Sequence, residues 1–424
     1  GKQLAAVLAF DQPEVRGQIM LGTQTPQLPD AAGLELSGEL SRFSLSELLP
    51  YLPQGEPVTA DRPSILRRVQ LKLASLELFN QELQEVEMLA TQMSNQWLVD
   101  VKSPQAKGKL QISESILTDP LIANMEYLHL TKFPESEQEG ELENGAFDMH
   151  KLPALQVDVA NFSYDSLALG GLLLTTNRVD GNYHLDEFVL TPRDTRISVQ
   201  GEWLAMPEPA GQTSMAIHID SKDMGKSLAA LGYADAFKHG EGSADAQLEW
   251  SGGMIDFVAE KLEGKVSFKF KEGRLLEVEP GAGRLLGLLS VQMLPRRLLL
   301  DFSDLFSKGF SFDEIRGNYQ LKQGVANTDD FTMIGPSARI DMLGKVDLGQ
   351  RTYDQQLIIT PFVTESLPLL SFLTGLATPQ VAAAIFVAQK LFQDDLEKIA
   401  QFEYHVTGPW DDPAVVKVSE QRAK

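Results

Sequence analysis

The sequence predicts a mainly β protein whose strands form a long, repeating antiparallel sheet. Apolar and polar residues alternate in short stretches along most of the chain, and a period of two is typical of strands that bury one face. Segments rich in Gly, Asn and Asp, such as NRVDGNY and LKQGVANTDD, separate these stretches at the spacing of hairpins. About twenty strands spaced by about 4.8 Å would make a sheet on the order of 100 Å long, which a few short helices cannot cover.

A sheet of this length has an apolar face that must be covered or used. Two sheets could close on each other as a sandwich. Alternatively, one long curved sheet could keep its apolar face open as a binding surface. The alternation by itself is compatible with both arrangements.

The alternating segments define the inward residues of the predicted strands. In VQLKLAS, Val69, Leu71 and Leu73 lie on one face, and Gln70 and Lys72 lie on the other. The same pattern recurs later in the chain, with inward residues Leu155, Val157 and Val159, Ile197, Val199 and Trp203, Met215, Ile217 and Ile219, Ala246, Leu248 and Trp250, Val266, Phe268 and Phe270, and Phe402, Tyr404 and Val406. These segments are predicted to be half-buried antiparallel strands.

Two stretches share one local design. DEFVLTPRDTRISVQGEW begins at Asp186 and DDFTMIGPSARIDMLGKV begins at Asp329, and each contains an acidic pair, a Phe, a Pro turn and a second alternating strand that ends in Gly. The recurrence predicts a sheet that grows by adding similar hairpins. The alternative is that any two hairpins of an ordinary β protein would agree this well.

Helical signals are confined to three places. One helix is predicted at about residues 223–237 and another at about 283–294, where Pro295 ends it. The third is the uncharged run LPLLSFLTGLATPQVAAAIFVAQ at residues 367–389, which is long enough to span a bilayer but is interrupted by Pro368, Gly375 and Pro379. We therefore predict a helical hairpin in place of one straight span.

The predicted organisation follows from these signals. A repeating β region covers residues 1–362, an amphipathic helical hairpin covers 363–401, and a final strand and tail cover 402–424. The hairpin either packs on the protein's own sheet or contacts a membrane or a partner. The sequence starts without Met and without an apolar segment of signal length, so any targeting segment or membrane anchor would lie upstream of Gly1.

Composition excludes several classes of function. The formal net charge is -22, from 59 acidic and 37 basic residues, and no polybasic segment is present, so nucleic acid would be repelled. The absence of cysteine excludes disulfides, thiolate zinc sites and cysteine nucleophiles. It is also compatible with an oxidising compartment.

No motif predicts catalysis. The tripeptide Gly-Lys-Ser at 225–227 follows a strand and precedes a helix, as in a phosphate-binding loop, but Asp220 occupies the position where that loop needs Gly. The glycines at 281, 283 and 287 fit a dinucleotide fingerprint poorly because the third is one place late. The histidines are dispersed, at positions 129, 150, 184, 218, 239 and 405. We therefore predict a protein without enzymatic activity, cofactor or bound metal.

The C-terminal part of the chain, from about Gly264, resembles a known family. The stretch RLLGLLSVQMLPRRLLLDFSDLFSKGFSF and the later segment FEYHVTGPWDDPAV are similar to the C-terminal portion of the AsmA-like family, in its YhdP branch of Gram-negative bacteria. The preceding residues fit this family only as generic alternating β segments.

The resemblance implies a bridge in the cell envelope. Members of the family are similar to the eukaryotic bridge-like lipid transfer proteins, in which a long sheet is curled like a taco around a hydrophobic groove for phospholipid acyl chains. The expected location is the periplasm, with the full-length protein anchored in the inner membrane, and the expected role is lipid transport for outer membrane biogenesis. The expected partners are phospholipids, both membranes and an envelope protein.

The resemblance also assigns roles to particular residues. The expected groove residues are Val69, Leu71, Leu73, Val157, Val159, Ile217, Ile219, Val266, Phe268, Phe270, Ile340, Met342 and Tyr404. The expected membrane-contacting residues of the hairpin are Leu369, Leu370, Phe372, Leu373, Ile385 and Phe386. The competing function is a closed β-sandwich scaffold or adaptor for envelope assembly that carries no lipid.

Overall fold

The fold is described from a computed structural model. The described residues are 4–11, 14–22, 25–44, 65–78, 81–115, 119–131, 152–205, 211–232, 237–254, 257–276, 310–336, 338–362, 401–410 and 412–418. They contain 22 strands that belong to one mixed sheet, which confirms the prediction of a mainly β protein. The chain divides into two compact units, which are described separately below.

Unit 1 comprises Gly1–Pro192 and Ser198–Leu204. Its strands are β1 (Leu4–Asp11), β2 (Glu14–Leu21), β3 (Gly33–Leu40), β4 (Phe43–Ser44), β5 (Leu66–Leu78), β6 (Gln81–Met93), β7 (Gln96–Lys102), β8 (Ala106–Ser113), β9 (Leu121–Leu130), β10 (Leu155–Tyr164), β11 (Leu167–Val179), β12 (Asn182–Thr191) and the later part of β13 (Thr195–Leu204). Apart from the two-residue β4, each strand from β1 to β12 pairs with the next one along the chain.

The sheet of unit 1 is mixed, because it contains parallel pairs beside the predicted antiparallel ones. The pairs β2–β3, β3–β5, β4–β5 and β9–β10 are parallel. A period of two gives the same alternation in both orientations, and parallel neighbours need longer connections than a hairpin turn. The parallel pairs indeed fall where many residues separate the strands, as between β9 and β10.

Unit 2 comprises Arg193–Ile197 and Ala205–Lys424. After the start of β13 it contains β14 (Gln212–Ser221), β15 (Phe237–Ser251), β16 (Glu263–Leu275), β17 (Phe310–Lys322), β18 (Val325–Ile334), β19 (Ala338–Asp347), β20 (Thr352–Pro361), β21 (Phe402–Pro409) and β22 (Ala414–Lys417). From β14 to β22, each strand pairs antiparallel with the next one in sequence.

The predicted hairpin turns occur where the sequence placed them. In NRVDGNY, Asp180 and Gly181 have φ values of 52° and 83°, and in LKQGV, Gln323 and Gly324 have values of 48° and 73°. Two consecutive residues with positive φ between antiparallel strands are the signature of a type I′ turn, whose twist matches that of the sheet. The second residue of this turn is commonly glycine because it tolerates positive φ without steric cost.

The helix predicted at 223–237 is shorter than expected. Helix α1 covers Met224–Ala230, with Asp223 as its N-cap, and a 3-10 helix covers Ala259–Lys261. Gly232 has φ of 91°, which ends the helical path, and β15 already starts at Phe237. The predicted helix at 283–294, the hairpin at 363–401 and its six membrane-contact candidates lie outside the described residues, apart from residue 401 at the end of the hairpin.

Candidate functional site

The register of unit 1 aligns apolar side chains across neighbouring strands. Residues directly opposite each other in paired strands have their side chains on the same face of the sheet. Following these pairs from strand to strand therefore shows which residues share a face and form a continuous row. The rows run across the strands, along the direction in which the sheet extends.

Two such rows cross eleven strands of unit 1 without a charged or hydrogen-bonding side chain. The first consists of Ala6, Ile19, Leu36, Val69, Ala90, Val99, Leu110, Ala123, Val157, Leu174 and Phe188. The second consists of Leu4, Leu21, Gly38, Leu71, Met88, Val101, Gly108, Met125, Val159, Leu172 and Leu190. We call the surface formed by these two rows the unit 1 apolar face.

The unit 1 apolar face is long and narrow. With about 4.8 Å between strands, eleven strands extend over roughly 48 Å, and rows two residues apart are separated by roughly 7 Å. The half-thickness of a bilayer's hydrocarbon core is about 15 Å. The face is therefore about three times as long as the depth that one acyl chain spans in a bilayer.

Much of this face remains accessible. Val69, Leu110 and Val157 are each half-buried, although they lie in the middle of the sheet. At β1 the apolar side chains are more open, since Leu4 is 68% and Phe10 is 73% exposed. Side chains of a closed core would be almost fully buried, so the unit 1 apolar face has surface left for a ligand.

A third, shorter row widens the centre of this face. Leu40, Leu73 and Val86 are opposite one another on β3, β5 and β6, and Leu73 and Val86 are buried. They belong to a cluster that also contains Leu71 and Ala106. This cluster packs β5, β6 and β8 together, while neighbouring residues of the face such as Val69 and Leu110 remain half-buried.

The opposite face of unit 1 is polar in its central strands. Gln70, Asp100, Lys109, Asn124 and Asp158 all lie on it, and all are exposed. Ion pairs link adjacent strands there: Lys109 Nζ lies 3.7 Å from Asp100 Oδ1, Lys72 Nζ lies 3.6 Å from Glu87 Oε1, and Lys107 Nζ lies 2.6 Å from Glu126 Oε2. The hydrogen bond with Glu126 raises the pKa of Lys107. Unit 1 is therefore amphipathic across its sheet.

A hydrogen-bond network closes one edge of the cluster. The side chain of Gln81, at the start of β6, donates to the carbonyl oxygen of Thr131 at 3.0 Å and accepts from the Thr131 backbone N–H at 2.8 Å and its hydroxyl at 3.0 Å. Gln105 accepts from the backbone N–H groups of Gln84 and His129. Because β7 and β8 are short, this network joins the end of β9 directly to the β5–β6 hairpin.

Unit 2 also aligns apolar residues in rows, but most of these are buried. One row across β14 to β21 consists of Met215, Leu248, Gly264, Leu321, Ala326, Val346, Tyr353 and Gly408. A second row contains Phe270, Ile315, Met333, Ile340 and Ile359. Met333, Ile340, Val346 and Ile359 are 0% exposed.

Aromatic rings pack together on this buried face of unit 2. Phe268 contacts Phe270, Tyr319 and Phe331, each with 6.2 Å between ring centroids. Gly317, opposite Phe268, leaves room for these rings, since a Cβ there would lie 3.1 Å from the Phe331 ring. Burial raises the pKa of the Tyr319 hydroxyl, and this side chain stays neutral at any physiological pH.

The structure divides the residues expected to line a groove between the two units. Val69 and Val157 lie in the first row of the unit 1 apolar face, Leu71 and Val159 lie in the second, and Leu73 lies in the third. The others lie on the apolar face of unit 2. There Ile217, Ile219 and Val266 are half-buried, whereas Phe268, Phe270, Ile340, Met342 and Tyr404 are buried.

Several residues of the unit 1 apolar face were not anticipated, among them Met88, Val99, Leu110 and Met125. Alternation in QWLVDVK and KGKLQIS could have identified Val99 and Leu110. In β11, the run LALGGLLLTT is apolar on consecutive positions, so no alternation distinguishes Leu172 from Leu173. Only the register assigns Leu172 to the apolar face.

The Gly-Lys-Ser tripeptide has a structural role. Lys226 Nζ lies 3.1 Å from Asp194 and 3.2 Å from Asp223, and the buried Ser227 hydroxyl donates to the Asp223 carbonyl oxygen. Burial would raise the pKa of Asp223, but hydrogen bonds from the Lys226 backbone and side chain outweigh it and hold that pKa below its usual value. The lysine that would bind a phosphate is thus already neutralised by two carboxylates.

Two kinds of feature are absent from the described residues. No group of His, Asp or Glu side chains in these parts of the chain is arranged to hold a metal ion. None of the helices described here combines the length and apolar character needed to cross a membrane. The unit 1 apolar face is therefore the feature of the described structure that best fits a functional surface.

These features define a mainly β protein with an extended, uncharged apolar sheet face. The chain belongs to the YhdP family, because the family model described as YhdP protein matches residues 1–415. It is similar to the intermembrane phospholipid transporter YhdP of Escherichia coli (strain K12), with 25% identity over 414 residues that cover 94% of this chain and 32% of the relative. The chain thus spans about a third of that relative's length.

The comparison confirms the family expected from the C-terminal motifs. It also extends the resemblance, since the family match starts at residue 1, whereas the sequence motifs pointed only to the part after Gly264. The N-terminal strands that carry the unit 1 apolar face are therefore family sequence as well. The relative is a transporter of phospholipid between membranes, as its name states.

Proposed function

We propose that this chain carries phospholipid, with acyl chains lying on the unit 1 apolar face and headgroups in water. The observation that supports this proposal is the pair of rows that cross eleven strands without a polar side chain. Membership of a family whose characterised relative transports phospholipid supports it independently. Transport would be non-enzymatic, because moving a lipid along a surface breaks no covalent bond.

The energetic reason for a continuous apolar face is the cost of exposing an acyl chain to water. At about 0.8 kcal/mol per CH₂ group, a sixteen-carbon chain loses roughly 12 kcal/mol on entering bare water. A polar or charged side chain in the path would restore part of this barrier at one point. A lipid on the unit 1 apolar face exchanges one apolar contact for the next and avoids the barrier along roughly 48 Å.

The remaining groove candidates, which lie in unit 2, differ in how accessible they are to a lipid. Ile217, Ile219 and Val266 in unit 2 are half-buried and could contact a lipid directly. Phe268, Phe270, Ile340, Met342 and Tyr404 are buried, so a lipid would reach them only if whatever covers them moved aside. We propose the first three as groove residues and the buried five as a core that opens only if lipid enters unit 2.

The cellular setting is part of the same proposal. We place the protein in the periplasm of a Gram-negative bacterium, where it passes phospholipid between the inner and outer membranes and supports outer membrane biogenesis. The C-terminal hairpin, including Phe372 and Phe386, would contact the receiving membrane or an envelope protein. Its acidic flanks would disfavour an anionic surface, so attachment would depend on apolar burial.

A second candidate function is a closed scaffold or adaptor without lipid carriage. The observation that favours it is the burial of unit 2, where Met333, Ile340 and Ile359 are 0% exposed. A face so fully buried behaves as an ordinary core. The half-open face of unit 1 has no such explanation, which is why lipid carriage is preferred.

Native mass spectrometry of protein purified without detergent distinguishes the two functions. We expect phospholipid at one or more copies per chain, identified after extraction by its fragment masses. Refolding from denaturant, followed by incubation with phospholipid vesicles, should restore the same adducts. A clean apo mass from both preparations would contradict lipid carriage and favour the scaffold.

A further inference from the structure

A polar hollow lies on the opposite face of unit 2, away from the apolar rows. It has a volume of about 580 Å³ and is formed by strands β15 to β18. This volume lies within the range of about 300–1,000 Å³ typical of sites for small ligands. Its lining side chains are mostly amides, carboxylates and hydroxyls, so it is a different kind of surface from the unit 1 apolar face.

The strand register brings these polar side chains together. Gln247, Lys265, Gln320 and Asn327 are opposite one another on four successive strands, so their side chains form one row. Next to this row, Asp245, Ser267 and Asn318 form a second one. Residues of both rows line the hollow.

A β-bulge shapes the hollow between β17 and β18. The register shifts by one residue between Arg316 and Gln320, so the regular ladder is interrupted there. The backbone N–H of Asn318 donates to the Asp330 carboxylate at 2.9 Å in place of a carbonyl on β18, and the Asn318 amide also donates to this carboxylate. Bulges bend a strand locally and redirect its side chains, and here Asp329 lines the hollow.

The polar groups of the hollow fall into two sets. Asp245 Oδ1 accepts a hydrogen bond from His218 Nδ1–H at 2.7 Å, and Gln320 donates to the Gly264 carbonyl oxygen at 3.0 Å. By contrast, the side chains of Gln247, Lys265, Ser267, Asn327 and Asp329 have no hydrogen-bond or ion-pair partner among the described residues. Five polar side chains without a partner among the described residues therefore line one hollow.

The chemistry of this set selects a class of ligand. The free groups include donors, acceptors and groups that do both, which matches hydroxyls that each donate and accept. Asp245 and Asp329 outweigh the single cation Lys265, so a phosphate or another anion would be repelled. We propose that this hollow binds a short, uncharged glycan segment. The proposal does not depend on lipid carriage, because the apolar rows lie on the other face.

Saturation-transfer difference NMR and calorimetry with three probes test the proposal: chitotetraose, maltotetraose and cellotetraose. We expect at least one of them to bind the full chain with a Kd below about 1 mM. The double variant Gln247→Ala with Asp329→Ala should weaken this binding by at least about tenfold. Both side chains are exposed and have no hydrogen-bond or ion-pair partner in the described part of the chain, so the variant should fold normally.

Asp354→Ala is the matched control. Asp354 is an exposed carboxylate on the same face, in the row that continues from Asn327 through Lys345, but it lies outside the hollow. It should bind the saccharide as the unaltered protein does. The proposal is overturned if none of the three probes binds, or if the double variant binds as tightly as the control. Lipid content, measured on the same preparations, should be equal in all three proteins.

Discussion

A single carboxylate placed on the unit 1 apolar face should block lipid binding in a pH-dependent way. Val157 is half-buried in the first apolar row, between Ala123 on β9 and Leu174 on β11. In Val157→Glu, an acyl chain that covers this position removes the carboxyl group from water, so the group must either be buried as a charged carboxylate or first take up a proton. An isolated charge buried against hydrocarbon costs many kcal/mol, so the carboxyl group will take up a proton.

The cost of that proton sets the size of the effect. A free Glu has a pKa of about 4.3, which is about 2.7 pH units below neutrality, and each unit corresponds to about 1.36 kcal/mol. Lipid binding over residue 157 should therefore weaken by about 3.7 kcal/mol, or about 500-fold, at pH 7. At pH 5 the same reasoning predicts that lipid binding weakens only about fivefold, because this pH is only about 0.7 units above the pKa of a free Glu and protonation costs less.

The matched control is one residue away on the same strand. Gln156 is exposed on the opposite face, so Gln156→Glu adds the same carboxylate without placing it under the lipid. The assay is uptake of a fluorescent phospholipid from vesicles, measured after size-exclusion chromatography at pH 7 and pH 5, with thermal melting of each variant to exclude unfolding.

Two results would refute the reasoning. If Val157→Glu and Gln156→Glu take up lipid equally at pH 7, acyl chains do not cover residue 157. If Val157→Glu loses lipid to the same extent at both pH values while the control does not, the loss comes from altered packing and not from the charge. The expected result is a loss specific to Val157→Glu that recovers as the pH falls.

Two further predictions concern stability. Gln81→Ala removes three hydrogen bonds with Thr131 and should lower the free energy of unfolding by about 1–3 kcal/mol, measured by urea titration. Gln84→Ala is the control and should leave this free energy unchanged, because only the backbone N–H of Gln84 bonds to Gln105. Equal urea midpoints for the two variants would contradict a role for the Gln81 side chain. Ile340→Ala, at a position that is 0% exposed, should cost about 2–5 kcal/mol. Val416→Ala, at 61% exposure, should stay within about 0.5 kcal/mol, and a similarly small cost at Ile340 would show that unit 2 is loosely packed.

The strands and turns could be predicted because their signals are local. Alternation in VQLKLAS and KVSFKF is a property of neighbouring residues, and it assigned Leu71 and Phe268 to the inward face. The Asp180–Gly181 turn has its own signature for the same reason. The predicted helix at 223–237 is longer than the observed one because Ala favours helix on both sides of Gly232, while β15 pairs Phe237 with Leu275 across the sheet.

The candidate site could be predicted only in part, because its essential property is not local. That Val69 and Val157 lie in one row depends on five successive strand pairings, and no pattern within either strand encodes them. The parallel pairs were missed for a related reason, since alternation does not report strand direction. The polar hollow depends on a bulge in β18, and the sequence gives that bulge no clear signal.

The continuity of the unit 1 apolar face places a stronger demand on register than on residue identity. The rows contain Ala, Gly, Val, Leu, Ile, Met and Phe in no fixed order, so many apolar residues can occupy each position. A slip of one residue in any strand would instead turn its polar side chains, such as Gln70 or Asp158, onto that face and interrupt both rows. The parallel junctions β3–β5 and β9–β10 are where such a slip would be easiest, because no tight turn fixes their register. Such a surface tolerates the exchange of one apolar residue for another, but it does not tolerate a one-residue shift in strand register. It can therefore be preserved between proteins of low sequence identity, which is compatible with a family relative that is 25% identical to this chain.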